Sequence, residues 1–344
     1  MIRFECDYLE GAPVQVIEAI AKANMEQNAG YGEDAHCEHA KELIRQVCDA
    51  PEAKVAFLVG GTQTNLTVIA SALKNYQGVI APQTAHINNH ETGAIEATGH
   101  KVMSIPTDTG KITGKQVRDV CRQYWNDTHA LHIVQPGMVY ISQTTEIGTL
   151  YSRREIEEIY AVCREYHILL FIDGARIGYG IESPGSDLKL HDFPKLCDVF
   201  TIGGTKQGAL FGEAVVILDK ILKQEFSYHV KQRGGLLAKG WLLGVQFETL
   251  FTDGLYIKLA KHAADLAVTL HQGFASSGFS FYVDHLTNQQ LPILTREQAE
   301  KLGKNYSFDY FASLDDGRLA CRFCTSWATR EENVEALLAD IKKI

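Results

Sequence analysis

The chain has 344 residues, a length that corresponds to about two domains at roughly 150 residues each. A formal net charge of −9 argues against nucleic acid as a partner, and no run approaches the roughly 18 apolar residues of a membrane span, so we expect no membrane partner either. Eight scattered cysteines and a first segment without an apolar signal core favour reduced thiols and a cytoplasmic location.

Residues 14 to about 254 alternate between two patterns. Apolar residues at helical spacing predict helices over residues 14–27, 40–47, 66–73 and 152–167, the last with a capping box of Ser152 and Glu155. The runs between them are apolar throughout, which is typical of strands buried on both faces of a mainly parallel sheet. We predict strands at VAFLV (55–59), GVIAP (78–82), KVMSI (101–105), ALHIV (130–134), ILLFID (168–173), VFTIGG (199–204) and AVVIL (214–218).

The regular alternation of predicted helices and strands ends near residue 254. A long helix over 255–276 is followed by the short apolar runs FSFYV, LPIL and RLACRFC, a helix from Arg296, and a final helix beginning at a capping box of Thr329 and Glu332. We therefore predict a large α/β domain, residues 1–254, and a small C-terminal α+β domain, residues 255–344. We expect the segment 1–13 to pack toward the small domain.

Polar residues follow three of the predicted strands, where open α/β sheets bind their ligands. The glycine turn at Gly60-Gly61 before a helix is either an anion cradle or a tight turn with no ligand. The carboxylate of Asp173 leaves a buried strand and needs a partner, which is either Arg176, a protonated ring nitrogen or a metal.

Lys206 lies at the third strand end, where burial favours a neutral, nucleophilic amine. A phosphate cradle, a buried carboxylate and a buried amine are together what pyridoxal phosphate requires. The sequence therefore predicts pyridoxal 5'-phosphate as the cofactor.

At these residues the sequence resembles the threonine aldolase and β-eliminating lyase family of pyridoxal-phosphate enzymes. The resemblance covers nearly the whole chain and implies the aspartate-aminotransferase-type fold, a mainly parallel seven-stranded sheet with helices on both faces. It rests on Phe4-x-x-Asp7, Tyr31-Gly32-Glu33-Asp34, Gly60-Gly61-Thr62-x-x-Asn65, His86-Ile87 with Glu91-x-Gly93, Asp173-Gly174-Ala175-Arg176, Gly204-Thr205-Lys206 and Arg322-Phe-x-Thr325-Ser-Trp327.

The resemblance implies a role for each matching residue. Lys206 carries the Schiff base, Asp173 pairs with the pyridinium nitrogen, and His86 stacks on the ring. Substrate contacts are implied for Cys6, Arg176 and Arg322, the two arginines clamping the substrate carboxylate. Further cofactor contacts are implied for Gly61, Thr62, Gln63, Gln143, Arg176, Thr205 and Lys231, the last reaching the neighbouring subunit's site.

The implied reaction is cleavage of L-threonine, L-allo-threonine or a related β-hydroxy-α-amino acid to glycine and an aldehyde, in a homodimer or homotetramer with shared active sites. Two alternatives stay open: a β-eliminating lyase acting on an aromatic or hydroxy amino acid, and a binding protein of the same fold with a dead site. Product identity separates the two reactions, because elimination gives a keto acid and ammonia.

The sequence departs from the family pattern at two positions. Thr145 takes the place of a histidine that touches the substrate hydroxyl, and threonine is no base at neutral pH. We expect His86 or a bound water to serve instead. Cys6 stands where the family often has serine.

Two motifs are typical of metal sites. His36-Cys37-Glu38-His39 offers few convergent ligands and is better interpreted as the solvated start of a helix. Cys321-x-x-Cys324 lies in a predicted strand, where an odd separation puts the two thiols on opposite faces, so we interpret both as core residues. We therefore predict no metal site.

Overall fold

The structure is a computed structural model that describes all residues, 1–344. The strands are β1 (Ile2–Arg3), β2 (Lys54–Leu58), β3 (Gln77–Pro82), β4 (Val102–Ile105), β5 (Gln135–Ser142), β6 (Leu169–Asp173), β7 (Val199–Gly203), β8 (Glu213–Ile217), β9 (Gln289–Gln290), β10 (Ile293–Leu294), β11 (Tyr306–Ser307), β12 (Asp309–Ser313) and β13 (Leu319–Cys324). The helices are α1 (Val14–Ala23), α2 (Ala35–Val47), α3 (Gly61–Ala72), α4 (His86–Asn89), α5 (Gly114–Trp125), α6 (Arg153–Tyr166), α7 (Ile177–Glu182), α8 (Lys220–Gln232), α9 (Trp241–Phe251), α10 (Leu255–Ser276), α11 (Arg296–Leu302) and α12 (Glu331–Ile341).

Seven strands form one sheet in the order β2-β8-β7-β6-β5-β3-β4. The strands from β4 to β7 are parallel to one another, and β8 runs antiparallel to both of its neighbours. Two apolar clusters cover the two faces of this sheet, which explains why its strands are apolar throughout. The predicted mainly parallel seven-stranded sheet is confirmed.

The C-terminal part has its own small sheet and its own core. Strands β10, β12 and β9 all pair antiparallel with β13. The N-terminal segment contacts this part, because β1 pairs with β11 and Phe4 is buried among its apolar side chains. We propose that the boundary between the two domains lies at Gly254, immediately before α10. No helix combines the length and apolar character that crossing a bilayer requires.

One predicted strand is wrong. Residues 130–134 form no strand: Ala130–His132 is a 3-10 helix with Leu131 98% exposed, and β5 begins only at Gln135, where burial starts. His129 and His132 are therefore exposed turn residues. The FSFYV run makes only one β-bridge, at Phe281.

The predicted capping box of the last helix is also wrong. The helix begins at Glu331 with no side-chain cap, because the Thr329 hydroxyl accepts a hydrogen bond from the Ser326 amide instead. The capping box of α6 is confirmed, with Ser152 and Glu155 bonding each other's backbone amides. Cys321 and Cys324 are both buried free thiols, as predicted for core residues.

Candidate active site

The ends of three neighbouring parallel strands meet at one edge of the sheet. Ser142 ends β5 and lies opposite Asp173, which ends β6, while Lys206 follows the end of β7 by three residues. These side chains line a single cavity, so the sheet topology brings the predicted amine and carboxylate together. The lining residues are Gly61, Asn65, His86, Ser142, Thr144, Glu146, Asp173, Ala175, Arg176 and Lys206.

The carboxylate of Asp173 is buried, and three donors satisfy it. Its Oδ2 accepts hydrogen bonds from Asn65 Nδ2 at 3.0 Å and from the Tyr140 hydroxyl at 2.6 Å. Its Oδ1 accepts from the backbone amide of Ala175 at 2.8 Å. The alternative in which Asp173 pairs with Arg176 is therefore wrong, because Arg176 has a different partner.

His86 begins α4 and is fixed by a buried carboxylate. Its Nδ1 lies 2.7 Å from Glu91 Oε1, and Asn65 Nδ2 donates to the same oxygen at 2.8 Å. Burial by itself lowers the pKa of His86, but the hydrogen bond to Glu91 and the charge of Asp173 outweigh it and raise the pKa above its ordinary value. The imidazole therefore carries more positive charge near neutral pH than a free histidine does.

Glu146 joins His86 to the strand ends. Its Oε1 accepts hydrogen bonds from the backbone amide of His86 at 2.9 Å and from the Ser142 hydroxyl at 2.6 Å. The Ser142 hydroxyl lies 3.4 Å from that of Tyr140, which donates to Asp173. These contacts place seven polar residues in a ring around the cavity, namely His86, Glu91, Asn65, Asp173, Tyr140, Ser142 and Glu146. Within this ring the hydroxyl groups of Ser142 and Tyr140 are neighbours that donate to Glu146 and Asp173, respectively.

Sequence reasoning missed five members of the ring as site residues, namely Asn65, Glu91, Tyr140, Ser142 and Glu146. Asn65 and Glu91 belong to the motifs that carry the family resemblance, and this membership could have indicated that they are site residues. Tyr140 sits within an apolar strand, and nothing in its local pattern distinguishes it from a core aromatic residue.

Arg176 is held by the N-terminal segment. Its Nε and Nη2 donate to Asp7 Oδ2 and Oδ1 at 2.6 and 2.9 Å, and Asn288 Nδ2 also donates to Asp7 Oδ2 at 2.9 Å. Burial by itself raises the pKa of Asp7, but the adjacent guanidinium holds that pKa below its usual range. This two-point ion pair fixes the plane of the guanidinium at the cavity wall.

Arg322 lies beside the cavity but not on its lining. It alternates with the fully buried Cys321 and Phe323, as predicted, and its Nη2 donates to Asp309 at 2.7 Å. Burial and the charges of His86 and Arg322 lower the pKa of His90, whose ring centre is 5.5 Å from that of His86.

Two glutamine side chains that were predicted to contact the cofactor form hydrogen bonds with the backbone instead. The Gln143 side-chain oxygen accepts a hydrogen bond from the Tyr151 amide at 3.0 Å, and its Nε2 donates to the Tyr151 carbonyl oxygen at 3.1 Å. The Gln63 amide bonds the backbones of Val59 and Arg233. These two glutamines therefore bond the backbone of neighbouring loops, and neither lines the cavity; their assignment as cofactor contacts stays a prediction.

Four other predicted residues also lie off the cavity lining. Thr62 is exposed at the start of α3, and Thr205 closes the turn before Lys206 by accepting from the Gly212 amide at 3.0 Å. Cys6 lines a separate cavity with Cys324. Lys231 is exposed, with its ammonium 4.7 Å from the ring centre of Tyr31.

No three histidine, cysteine or acidic side chains converge as ligands of a metal ion. His36 Nδ1 and His39 Nδ1 instead lie 2.6 and 2.7 Å from the carboxylate oxygens of Glu248. His36 Nε2 lies 2.7 Å from Glu26 Oε2. Ala35, Glu38 and His39 are exposed, so the predicted solvated helix start is confirmed, with both histidines hydrogen-bonded to carboxylates.

The donor set around the cavity fits pyridoxal phosphate. An amine, a buried carboxylate and an imidazole face one space, and the α3 N-terminus opens toward it at Gly61, where nothing lies within 4 Å of an added Cβ. Three buried atoms around the ring, Asn65 Oδ1, Glu91 Oε2 and Thr144 Oγ1, have no partner within the protein. Such atoms are typical of a site that completes its hydrogen bonds with a ligand.

A further buried carboxyl group belongs to Glu213, the first residue of β8. Its Oε2 accepts a hydrogen bond at 3.3 Å from the amide of Gly204, two residues before Lys206. Burial raises its pKa to about 7, although the positive charge of Lys206 opposes the shift. Between pH 4.5, the ordinary pKa of a glutamate, and about pH 7, the folded chain therefore binds more protons than the unfolded chain. The contribution of Glu213 to the free energy of unfolding falls as pH rises through this window.

We expect Glu213→Gln to remove this pH dependence. The gap in unfolding free energy between variant and parent should grow as pH rises from about 5 to about 8, to at most about 3 kcal/mol in favour of the variant. Denaturant unfolding at several pH values measures it, with Glu52→Gln, an exposed carboxylate, as the control. A constant gap across the range would contradict the assignment.

Comparisons with known proteins agree with this geometry. The sequence profile of the β-eliminating lyase family matches residues 7–295. The low specificity L-threonine aldolase of Pseudomonas aeruginosa is 29% identical over 345 aligned positions, covering 99% of this chain and 97% of that protein.

Two solved structures are also similar. A structure of Leishmania major threonine aldolase superimposes with a TM-score of 0.97 at 42% identity, covering 100% of this chain and 99% of that one. Aspartate aminotransferase from Thermus thermophilus shares the fold at a TM-score of 0.72 and 15% identity, covering 100% of this chain and 91% of that one. With the family profile spanning most of the sequence, the chain belongs to the β-eliminating lyase family.

Proposed function

We propose that this chain is a pyridoxal-phosphate-dependent aldolase, a carbon–carbon lyase that cleaves L-threonine, L-allo-threonine or a related β-hydroxy-α-amino acid to glycine and an aldehyde. The observation that carries the proposal is the meeting of Lys206, Asp173, His86 and Arg176 around one cavity. Threonine aldolases that align over nearly the whole chain support the substrate class.

The bound cofactor supplies an electron sink for the pair released at the substrate Cα. The protein supplies position and charge. Lys206 would hold the cofactor through its amine, Asp173 would place a negative charge near the ring nitrogen, and His86 would pack against the ring. Arg176 binds the substrate carboxylate with the guanidinium plane that Asp7 fixes, and thereby orients the bonds at Cα.

A spectrum of the purified protein tests the proposal. We expect a visible absorption band that borohydride removes and that shifts when glycine is added. With threonine as substrate, we expect acetaldehyde and glycine as the products. Formation of a keto acid and ammonia would favour β-elimination, and a protein that stays colourless after incubation with pyridoxal phosphate would contradict both reactions.

We also propose that active sites are shared between subunits of a homodimer or homotetramer. Lys231 lies outside its own chain's cavity, exposed and next to the exposed ring of Tyr31, which supports its contribution to a neighbouring site. Light scattering should give a mass of at least two chains, and Lys231→Ala should weaken cofactor binding. A fully active monomer would contradict the shared site. A cytoplasmic location stays a prediction, supported by eight free thiols.

A further inference from the structure

The loop after β5 presents alternate side chains to the cavity. Gln143 and Thr145 are fully buried in the protein, the latter with its hydroxyl 2.7 Å from that of Thr149. Thr144 and Glu146 line the cavity instead. The position that faces the cavity is therefore Glu146, the residue after the one that aligns with the family histidine.

The Glu146 carboxylate is fixed by one oxygen and open at the other. Oε1 is held at 2.9 Å by the His86 amide and at 2.6 Å by the Ser142 hydroxyl. Oε2 accepts a hydrogen bond from no other residue, and the group lines the same cavity as Lys206 and Arg176. A carboxylate that is oriented by its neighbours but still has a free oxygen is in place to exchange a proton with a substrate.

The surroundings favour a proton acceptor at this position. The charged and titratable groups facing the cavity or its ring are Glu91, Asp173, Tyr140, His86, Lys206 and Arg176. Burial and the negative charge of Asp173 raise the pKa of Glu146 above its ordinary value, against the hydrogen bonds that lower it. His86 is less suited, because its Nδ1 is taken by Glu91 and its raised pKa favours the protonated form.

We propose that Glu146 is a catalytic residue that takes the proton from the β-hydroxyl group of the substrate. This inference rests on the proposed aldolase function. As the O–H proton moves to Glu146, the β-carbon forms the C=O bond of the aldehyde and the Cα–Cβ bond breaks. The electron pair stays at Cα, where the bound cofactor would serve as the electron sink. Cα then takes up a proton to give glycine, and Glu146 gives its proton to solvent.

The decisive variant is Glu146→Gln in the cofactor-loaded protein, which keeps the shape and the hydrogen bonds to His86 and Ser142. We expect kcat for aldol cleavage to fall by about 10² to 10⁴-fold. The dissociation constants for pyridoxal phosphate and for glycine, measured by absorbance titration, should stay unchanged, because glycine has no β-hydroxyl group. Thr145→Ser, which alters the neighbouring buried residue and keeps its hydroxyl, is the matched control and should retain the parent kcat.

A second measurement does not depend on activity. Infrared difference spectra across a pH titration should show the carbonyl band of a protonated carboxylic acid that disappears at a pH above the ordinary range of a glutamate, and Glu146→Gln should lack this band. Parent-like kcat in Glu146→Gln would overturn the inference while leaving the aldolase function intact. Loss of glycine binding together with activity would assign Glu146 a structural role and overturn the inference as well. A protein that binds neither cofactor nor glycine before any substitution would instead overturn the proposed function.

Discussion

Replacing Lys206 with alanine should abolish both the covalent attachment of pyridoxal phosphate and turnover, with kcat falling by on the order of 10⁴-fold or more. No other lysine lines the cavity, so none can replace the amine that Lys206 places beside Asp173 and His86. The visible absorption band should disappear in the same variant. Borohydride reduction of the parent protein, followed by peptide mass mapping, should place the cofactor adduct on Lys206.

Lys220→Ala is the matched control for this experiment. Lys220 is exposed at the start of α8 and makes no ion pair, so its loss should leave absorption and turnover unchanged. An adduct on a different lysine, or ordinary turnover in Lys206→Ala, would contradict the central assignment of the site.

Replacing Asp7 with asparagine should lower the free energy of unfolding by about 3–5 kcal/mol at neutral pH. The substitution leaves the buried guanidinium of Arg176 without its counter-ion, and no other acidic side chain forms an ion pair with it. The KM for the amino acid substrate should rise as well, since Asp7 fixes the plane of the guanidinium that we propose binds the substrate carboxylate. Denaturant unfolding and steady-state kinetics measure the two effects.

The stabilisation by this ion pair also has a defined pH dependence. Arg176 holds the pKa of Asp7 below its ordinary value of 3.8. The contribution of the ion pair to the free energy of unfolding is therefore complete above about pH 3.8 and is lost as pH falls through the lowered pKa. The difference between Asp7→Asn and its parent should therefore shrink in acid. Glu10→Gln, an exposed carboxylate in the same segment, is the control and should stay within about 0.5 kcal/mol of the parent. Equal stability of Asp7→Asn and parent at neutral pH would contradict the predicted role of the ion pair.

The missed elements of the fold share one physical cause. ALHIV is as apolar as the true strands, but Leu131 is 98% exposed and the backbone turns there before β5 begins. Likewise, Thr329 and Glu332 have capping-box spacing, but the Thr329 hydroxyl is taken by Ser326. Local pattern gives the propensity of a segment, while competing tertiary contacts decide whether the segment adopts that structure.

The sequence by itself determined the sheet-and-helix alternation, the family, and the placement of Asp173 and Lys206 at strand ends. These features depend on spacing along the chain, and parallel strands carry their carboxyl ends to one edge whatever their order. Only the tertiary structure decided which partner each polar group has. Asp7 and Arg176 are 169 positions apart, and Glu146 faces the cavity in place of Thr145 because of one loop's path. Which side chains of a loop face a cavity depends on the contacts of the loop in the folded chain, and buried polar groups select their partners by proximity there.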